Sequence, residues 1–582
     1  MNTHFHRLEA MGQKDVDLLL THVTLVNVLS GELQEDTDIA IHGEDIVGIG
    51  PGYRATHTLD CRGKFIIPGL IDAHIHLEST KLSIPQTARL MARFGTSTVI
   101  TDPHEIGNVA GVEGILYQMD SAKDNGYLHV YFTIPSCVPA LPDPDIDTAP
   151  NTLTPDKLRL FLGRDEVVGL GEMMNVPGVL LGLPDVLRKI EDFTTHRLVV
   201  DGHAPMLSGY ALNACIGAGI GSDHESTDLQ EAREKLRRGM VVMIREGSSE
   251  KNLDTLLPLI DPRNASRLMF ASDDLDPTDL LERGHINHLV RRAVAHGIDP
   301  IVAVQMATIS PATYFGISHR VGAVCPGRFA DLVVLDDLVS FDPKMVVHRG
   351  KIVFRDGALC EAGTPSDCHL HPTMHAVLPT PQALTVHAVE GQKARIMEVV
   401  AGQILTRERF VSPRIVGDVM VPDPAQDIAK VCVFERHRGT GSFGVAFVRG
   451  FGIQRGAMGS SVGHDSHNLI VVGMDDESIL KCARQICEMG GGQAALYDSH
   501  VETLPLPIAG LMSPEPAERV ADAETRLEAF CAQKLGVTLQ RPMAALSFMA
   551  LPVIPELRIT DRGLFSIAPG GYPQSVQTFS CK

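Results

Sequence analysis

The chain lacks any C-x-x-C pair, its eleven cysteines being scattered singly. That spacing excludes a cysteine zinc site and gives no disulfide framework, so a reducing cytoplasm is expected. No stretch approaches 18 consecutive apolar residues, and the opening MNTHFHRLEAMGQKDVDLLL has no basic region leading into an apolar one. Neither a membrane span nor a secretory leader is therefore expected. Dense Lys/Arg runs are missing as well. With 51 basic against 71 acidic side chains and a net charge of −20, the electrostatic footprint of a nucleic-acid binder is absent. A small-molecule ligand fits better.

Hydrophobic residues at 44% and charged residues at 21% of 582 describe an ordinary globular protein with room for several domains. Residues 17 to 60 carry short apolar stretches such as VTLVNV and DIAIHGEDIVGIG, which predict small antiparallel strands. From about 65, eight apolar runs alternate with helix-like segments: FIIPGLIDAHIH, STVITDPHE, HVYFTIPSC, VVGLGEMM, HRLVVDGHA, AGIGSDHE, MVVMIREGS and RLMFASDD. Eight such βα units predict an α/β fold, a closed (β/α)₈ TIM-like barrel. GAVCPGRFADLVVLDD and KIVFRDG then return to a β pattern. The expected organisation is a composite β-sandwich domain from 1–65 and 320–365, a barrel over 66–319, a Pro/His/Thr-rich linker at 366–382, and a mixed α/β domain over 383–582.

Active sites of parallel barrels lie at the C-terminal strand ends. The first run ends in His74 and His76, the fourth in Glu172, the fifth in His203, the sixth in His224, the eighth in Asp273 and Asp274. Side chains two apart on a strand share a face, so His74 and His76 can both point inward. Four imidazoles and two carboxylates make a donor set for divalent transition metals. Six ligands suit two ions better than one, with Glu172 able to bridge, and two ions can activate a shared hydroxide. Taken alone, the His-x-His pair also reads as two hydrogen-bonded core histidines. The five strand ends together favour the metal.

PGLIDAHIHLEST resembles the first-strand signature of the amidohydrolase superfamily, and GRFADLVVLD with KIVFRDG resembles that superfamily's return to its β-sandwich. TDPHEIGNVAG, GLGEMMNVPGV, DGHAP, SDHEST, MIREGSS, SDD and the later GHDSHN, in that order, resemble the bacterial-type adenine deaminase family over nearly the whole chain. The resemblance implies hydrolysis of adenine to hypoxanthine and ammonia by an enzyme of purine salvage with two Mn²⁺ or Fe²⁺ ions per subunit. His74, His76, His203, His224, Glu172 and Asp273 fall on its ligand positions. A metal-bridging hydroxide would attack purine C6 while Asp273 carries the proton to the leaving amine, help of a kind that contributes about 10²–10⁴-fold.

Glu78, Asp102, His104, Glu105, Arg245, Glu246, Ser248 and Asp274 lie at or just past strand ends and could hold the purine. Glu78 with Asp102, His104 and Glu105 could instead form an accessory metal site, and any of these carboxylates could merely cap a helix. His464, Asp465 and His467 of GHDSHN either reach a barrel mouth, of this or a neighbouring subunit, or form a turn bonded to its own backbone. The charged segment EAREKLRRG, 231 to 239, reads as a solvated helix face. Deamination of another aminopurine, or cyclic-amide hydrolysis of the hydantoinase or dihydroorotase kind, are the competing readings; those enzymes commonly bridge their metals with a carboxylated lysine on strand four, where this chain has Glu172. A symmetric homo-oligomer, dimer or higher, is the general expectation for such an enzyme.

Overall fold

The computed structural model describes residues 6–123, 125–360, 368–389, 391–568 and 571–579. The expected end of the β domain and start of the linker, 361–367, lie outside them.

The opening segment forms β1 (Val16–Asn27), β2 (Glu32–His42), β3 (Asp45–Ile49), β4 (Ala55–Asp60) and β5 (Phe65–Pro68). The expectation of purely antiparallel pairing is corrected here: β1 pairs antiparallel with β2 but parallel with both β4 and β5. After the tight β2–β3 turn, the chain crosses back to the free edge of β1, and such a return arrives parallel. The late segment supplies β14 (Leu332–Leu335), β15 (Pro343–His348), β16 (Lys351–Arg355) and β17 (Ala358–Leu359), completing a nine-stranded mixed sheet. One buried cluster takes Leu20 and Leu25 from β1, Ile39 from β2, Ile46 from β3 and Val347 from β15, so both ends of the sheet face a common core.

FIIPGLIDAHIH is two strands rather than one. Phe65–Pro68 pairs with β1 and β14, and the chain then turns at Gly69 into β6 (Leu70–Ile75) of a second sheet. A side chain at Gly69 would collide with Ser97 Oγ at 2.1 Å, which holds the crossing point to glycine. The parallel strands that follow are β7 (Thr96–Thr101), β8 (His129–Ile134), β9 (Val167–Met173), β10 (Val199–Gly202), β11 (Ser222–Asp223), β12 (Val241–Arg245) and β13 (Leu268–Ala271). They pair in the order β6 to β10 and β11 to β13, and isolated parallel bridges join Val200 to Ile220 and Ile75 to Asp273. This is a TIM-like barrel with additional domains. Ile71, Ala73, Ile100, Val168, Met243, Met269 and Ala271 fill its lower interior.

Beyond the linker an eight-stranded sheet spans Ala394 to Pro505, with the helix Asp476–Glu488 packed on it. Helix Ala517–Phe530 rests on the barrel's helix Pro277–Arg283. Lys81 reaches Glu524 at 2.8 Å and Arg541 reaches Asp279 at 2.6 Å across the same seam. No helix among the described residues is long and apolar enough to cross a membrane.

Candidate metal centre

The β6–β7 register is interrupted between Asp72 and Ile75. Ile71 and Ala73 sit in the interior cluster, whereas Ile75 packs outward among the helix-facing apolar residues. The irregularity therefore moves the inward parity from odd to even positions, and His74 and His76 enter the mouth together. Strand irregularities beside active sites re-aim side chains in this way. Asp273, at the end of β13, takes a left-handed backbone (φ 61°), donates its N–H to the His74 carbonyl at 3.0 Å, and turns its carboxylate onto the same histidines.

The six strand-end residues come together. His76 Nε2 lies 3.2 Å from Glu172 Oε1 and 3.2 Å from Asp273 Oδ1. His74 Nε2 lies 3.3 Å from His76 Nε2 and 3.6 Å from Asp273 Oδ1. On the other side, Glu172 Oε2 faces His203 Nδ1 at 2.7 Å and His224 Nε2 at 3.3 Å. His104, beyond the expected ligands, places Nδ1 3.4 Å from Glu172 Oε1, where it has no hydrogen-bond partner. His203 is the most exposed of the group; the others are buried.

Removing so many charges from water is costly unless they compensate one another. Burial opposes ionisation of both carboxylates. Even so, His203, with His224 and His76, holds Glu172 well below the usual carboxylate range, and Arg245, with His76 and His224, does the same for Asp273. Burial likewise opposes the charge on His224, yet Glu172 and Asp273 bring it up to about 10. A nest of imidazoles that stay neutral only beside cations, facing two ionised carboxylates with nitrogen and oxygen atoms 3 to 4 Å apart, fits divalent ions bound by N and O ligands.

Comparison with known proteins agrees. Residues 65–353 match the model of the amidohydrolase family, and 403–569 match the adenine deaminase C-terminal domain. An adenine deaminase of Desulfatibacillum aliphaticivorans is 44% identical over 96% of this chain and 97% of its own, and one of Methanothrix thermoacetophila is 42% identical over 97% of each. The chain belongs to the adenine deaminase family. Among solved structures, a β-aspartyl dipeptidase of Fervidobacterium islandicum AW-1 (TM-score 0.46, 16% identity) and a dihydropyrimidinase of Brevibacillus agri (0.47, 15%) each align over 60% of this chain, covering 98% and 96% of their own.

The C-terminal domain typical of adenine deaminases reaches this mouth within one chain. Glu105 lies 2.7 Å from His464 Nδ1, accepts from His467 Nε2, and lies 3.5 Å from His104 Nε2. Burial opposes the charge on His464, but Glu105 pushes its pKa up to about 9. Beside this clasp a cleft is lined by Glu78, Glu105, Ser248, Asp274, His464 and Phe548. Glu78 Oε1 caps the Ile106 N–H at 3.1 Å, while its Oε2 and Asp274 Oδ1 are buried without partners. Asp465 is buried nearby.

Other candidates are placed elsewhere. Asp102 lies behind the ligands, accepting the Glu172 N–H at 2.6 Å. Burial, with Glu172 adding to it, lifts its carboxyl to about 7. Arg245 pairs with Asp273 Oδ2 at 2.6 Å and with Glu225. Glu246 is not brought to the mouth: its carboxylate pairs with Arg292 and accepts the Leu253 N–H at 3.2 Å, because its side chain leaves the opposite face of the strand from Arg245.

Three residues escaped the sequence reading. Asp201 fixes His74 through Nδ1 at 2.8 Å, and Glu225 stands 3.6 Å from both His203 and His224. The repeated His-Glu of DPHE and SDHE was the available signal for Glu225. Lys235 corrects the solvated-face reading of EAREKLRRG. It is fully buried, donating to Asp223 Oδ2 at 2.9 Å and to the Ala204 carbonyl at 2.6 Å, and so ties together the residues next to His224 and His203.

Proposed function

We propose that the chain hydrolyses adenine to hypoxanthine and ammonia, with His74, His76, His203, His224, Glu172 and Asp273 holding two divalent ions, Mn²⁺ or Fe²⁺. The observation that carries this is the division of Glu172: one oxygen faces His76 and His104, the other His203 and His224. When bound, such ions lower the pKa of water and furnish hydroxide near neutral pH. The protein's own groups do the rest. Asp273, kept ionised by Arg245, accepts the proton of the attacking water and returns it to the exocyclic nitrogen, which must leave as ammonia. The unpartnered oxygens of Glu78 and Asp274 offer acceptors or, when protonated, donors to the purine edge. His104 with Glu105 supplies the accessory cation position, and His464, Ser248 and Phe548 close the cleft around the ring.

The division 1–65 with 320–365, 66–319 and 383–582, with an eight-stranded closed barrel and a folded-over β-sandwich, is the organisation we infer, in a cytoplasmic homo-oligomer. A lysine-bridged cyclic amidohydrolase fits less well, since the strand-four position such enzymes fill with lysine is Glu172 here, facing His76, His203 and His224. Ammonia release from a purine panel, by enzyme reconstituted with Mn²⁺ or Fe²⁺, tests the proposal. Adenine should turn over fastest. An inert adenine beside an active second aminopurine would remove the substrate assignment, and silence on all purines would remove the deaminase reading.

A further inference from the structure

At the opposite end of the barrel a second nitrogen and oxygen cluster sits where the β domain meets the barrel floor. His129 opens strand β8, Asp331 immediately precedes β14, and His348 ends β15. His129 Nε2 lies 2.9 Å from Asp331 Oδ2, His348 Nδ1 lies 3.0 Å from Asp331 Oδ1, and the two rings are 4.5 Å apart. Asp331 and His348 are buried, and His129 is nearly so. Strand β8 is six residues long, so the cluster is about 17 Å below the mouth and shares no residue with it.

The contacts are not those of a simple His–Asp–His hydrogen-bond chain. Despite the short distance, His348 Nδ1 is misaligned for a hydrogen bond to Asp331 and is left buried without a partner. A buried orphan of this kind is unfavourable unless something occupies its lone pair or proton. Two ligands of one ion lie close together without pointing at each other, which is the relation of His348 to Asp331; His129 Nε2 is hydrogen-bonded to Asp331 Oδ2 and would exchange that bond for the ion. The neighbouring cations do not forbid an ion, because each is held by its own carboxylate: Arg320, over the Phe329 ring, by Asp45 at 2.8 Å, and Arg349 by Glu44 at 2.6 Å. The Arg349 N–H also steadies Asp331 Oδ1 at 2.9 Å, while Phe329 stacks on His129.

We infer that His129, Asp331 and His348 form a binding site for a zinc-class divalent cation that bridges the β domain and the barrel floor. Two imidazole nitrogens and one carboxylate oxygen are a ligand set zinc accepts, with a water completing the tetrahedron. The three donors come from segments about 200 residues apart in sequence, so an ion here would resist separation of the two domains.

The test uses the full chain with its mouth loaded with Mn²⁺, then equilibrated with Zn²⁺ and freed of excess. Total metal per chain, by elemental analysis, should be about one ion higher in the wild type than in His348→Ala and His129→Gln. Zn²⁺ should raise the Tm of the wild type by several degrees and leave both variants almost unmoved. His129, at the rim, keeps the comparison available if His348→Ala fails to fold. A wild type with no ion beyond those of the mouth, or a further ion retained by both variants, would overturn the assignment.

Discussion

Glu172 and Asp201 affect the same ions at different removes, and substitutions that preserve shape separate them. Glu172→Gln keeps the volume but removes the charge that faces four imidazoles, so metal content and turnover should fall together. Asp201→Asn leaves every proposed ligand in place and alters the carboxylate that partners His74 Nδ1 and also accepts from Ser222 and the Gly202 N–H. Loss of such a supporting partner costs roughly 10–100-fold in metal affinity or activity, and Glu172→Gln should exceed that. Ammonia assays paired with elemental analysis read both; full activity in Glu172→Gln would refute bridging. Asp273→Asn belongs to a third class. It should lower kcat by about 10²–10⁴-fold, the worth of a positioned proton carrier. Part of that loss should remain when added metal restores the ion count, which distinguishes proton transfer from ligation alone.

Where elements meet, the seam between barrel and C-terminal domain carries its own pH dependence. Asp147, in the loop after β8, is buried opposite Asp561 and accepts from Asn468 at 3.2 Å, while Asp561 accepts the Thr148 N–H at 2.9 Å. Burial first, and Asp561 second, push the Asp147 carboxyl up to about 8. In the unfolded chain it titrates near about 3.9. A pKa raised on folding contributes stability that is complete below the unfolded value and disappears as pH rises through the folded one. Stability from this seam should therefore decline between about pH 4 and pH 8. Asp147→Asn, which imitates the protonated acid, should gain several degrees of Tm over the wild type at pH 8 and much less at pH 5. Equal differences at both pH values would locate the effect elsewhere. This seam was not legible in the sequence, because Asp147 and Asp561 are ordinary loop acids more than 400 residues apart. His74 and His76 were legible, since a two-residue spacing at the end of an apolar run is a local signal. The register interruption that turns both inward was not, and neither was the break at Gly69, where a continuous apolar run conceals a change of sheet.

Across the whole molecule, the residues that hold the proposed ions come from five barrel strands, and the clasp on Glu105 adds the C-terminal domain. Strand order and the TIM-like barrel could be anticipated from the repeating pattern, because each βα unit is a local event. The partnership of GHDSHN with Glu105, 362 residues apart for His467, could not, because nothing local to either segment requires the other. Metal binding should therefore be felt by the fold as a whole. Without ions, the imidazole cluster must either carry buried positive charge or leave Glu172 uncompensated, Asp273 keeping Arg245, and both are unfavourable in a buried site. Ligands that bind only the folded state stabilise it by mass action. Chelation should abolish deamination, lower the Tm by several degrees and make the Tm depend on added Mn²⁺ or Fe²⁺. Asp201→Asn should require more metal to reach the same Tm, moving the stability curve along the concentration axis in step with its activity. A chelated enzyme that keeps its Tm while losing turnover would mean that the cluster is held together by the surrounding protein, with the ions serving chemistry alone.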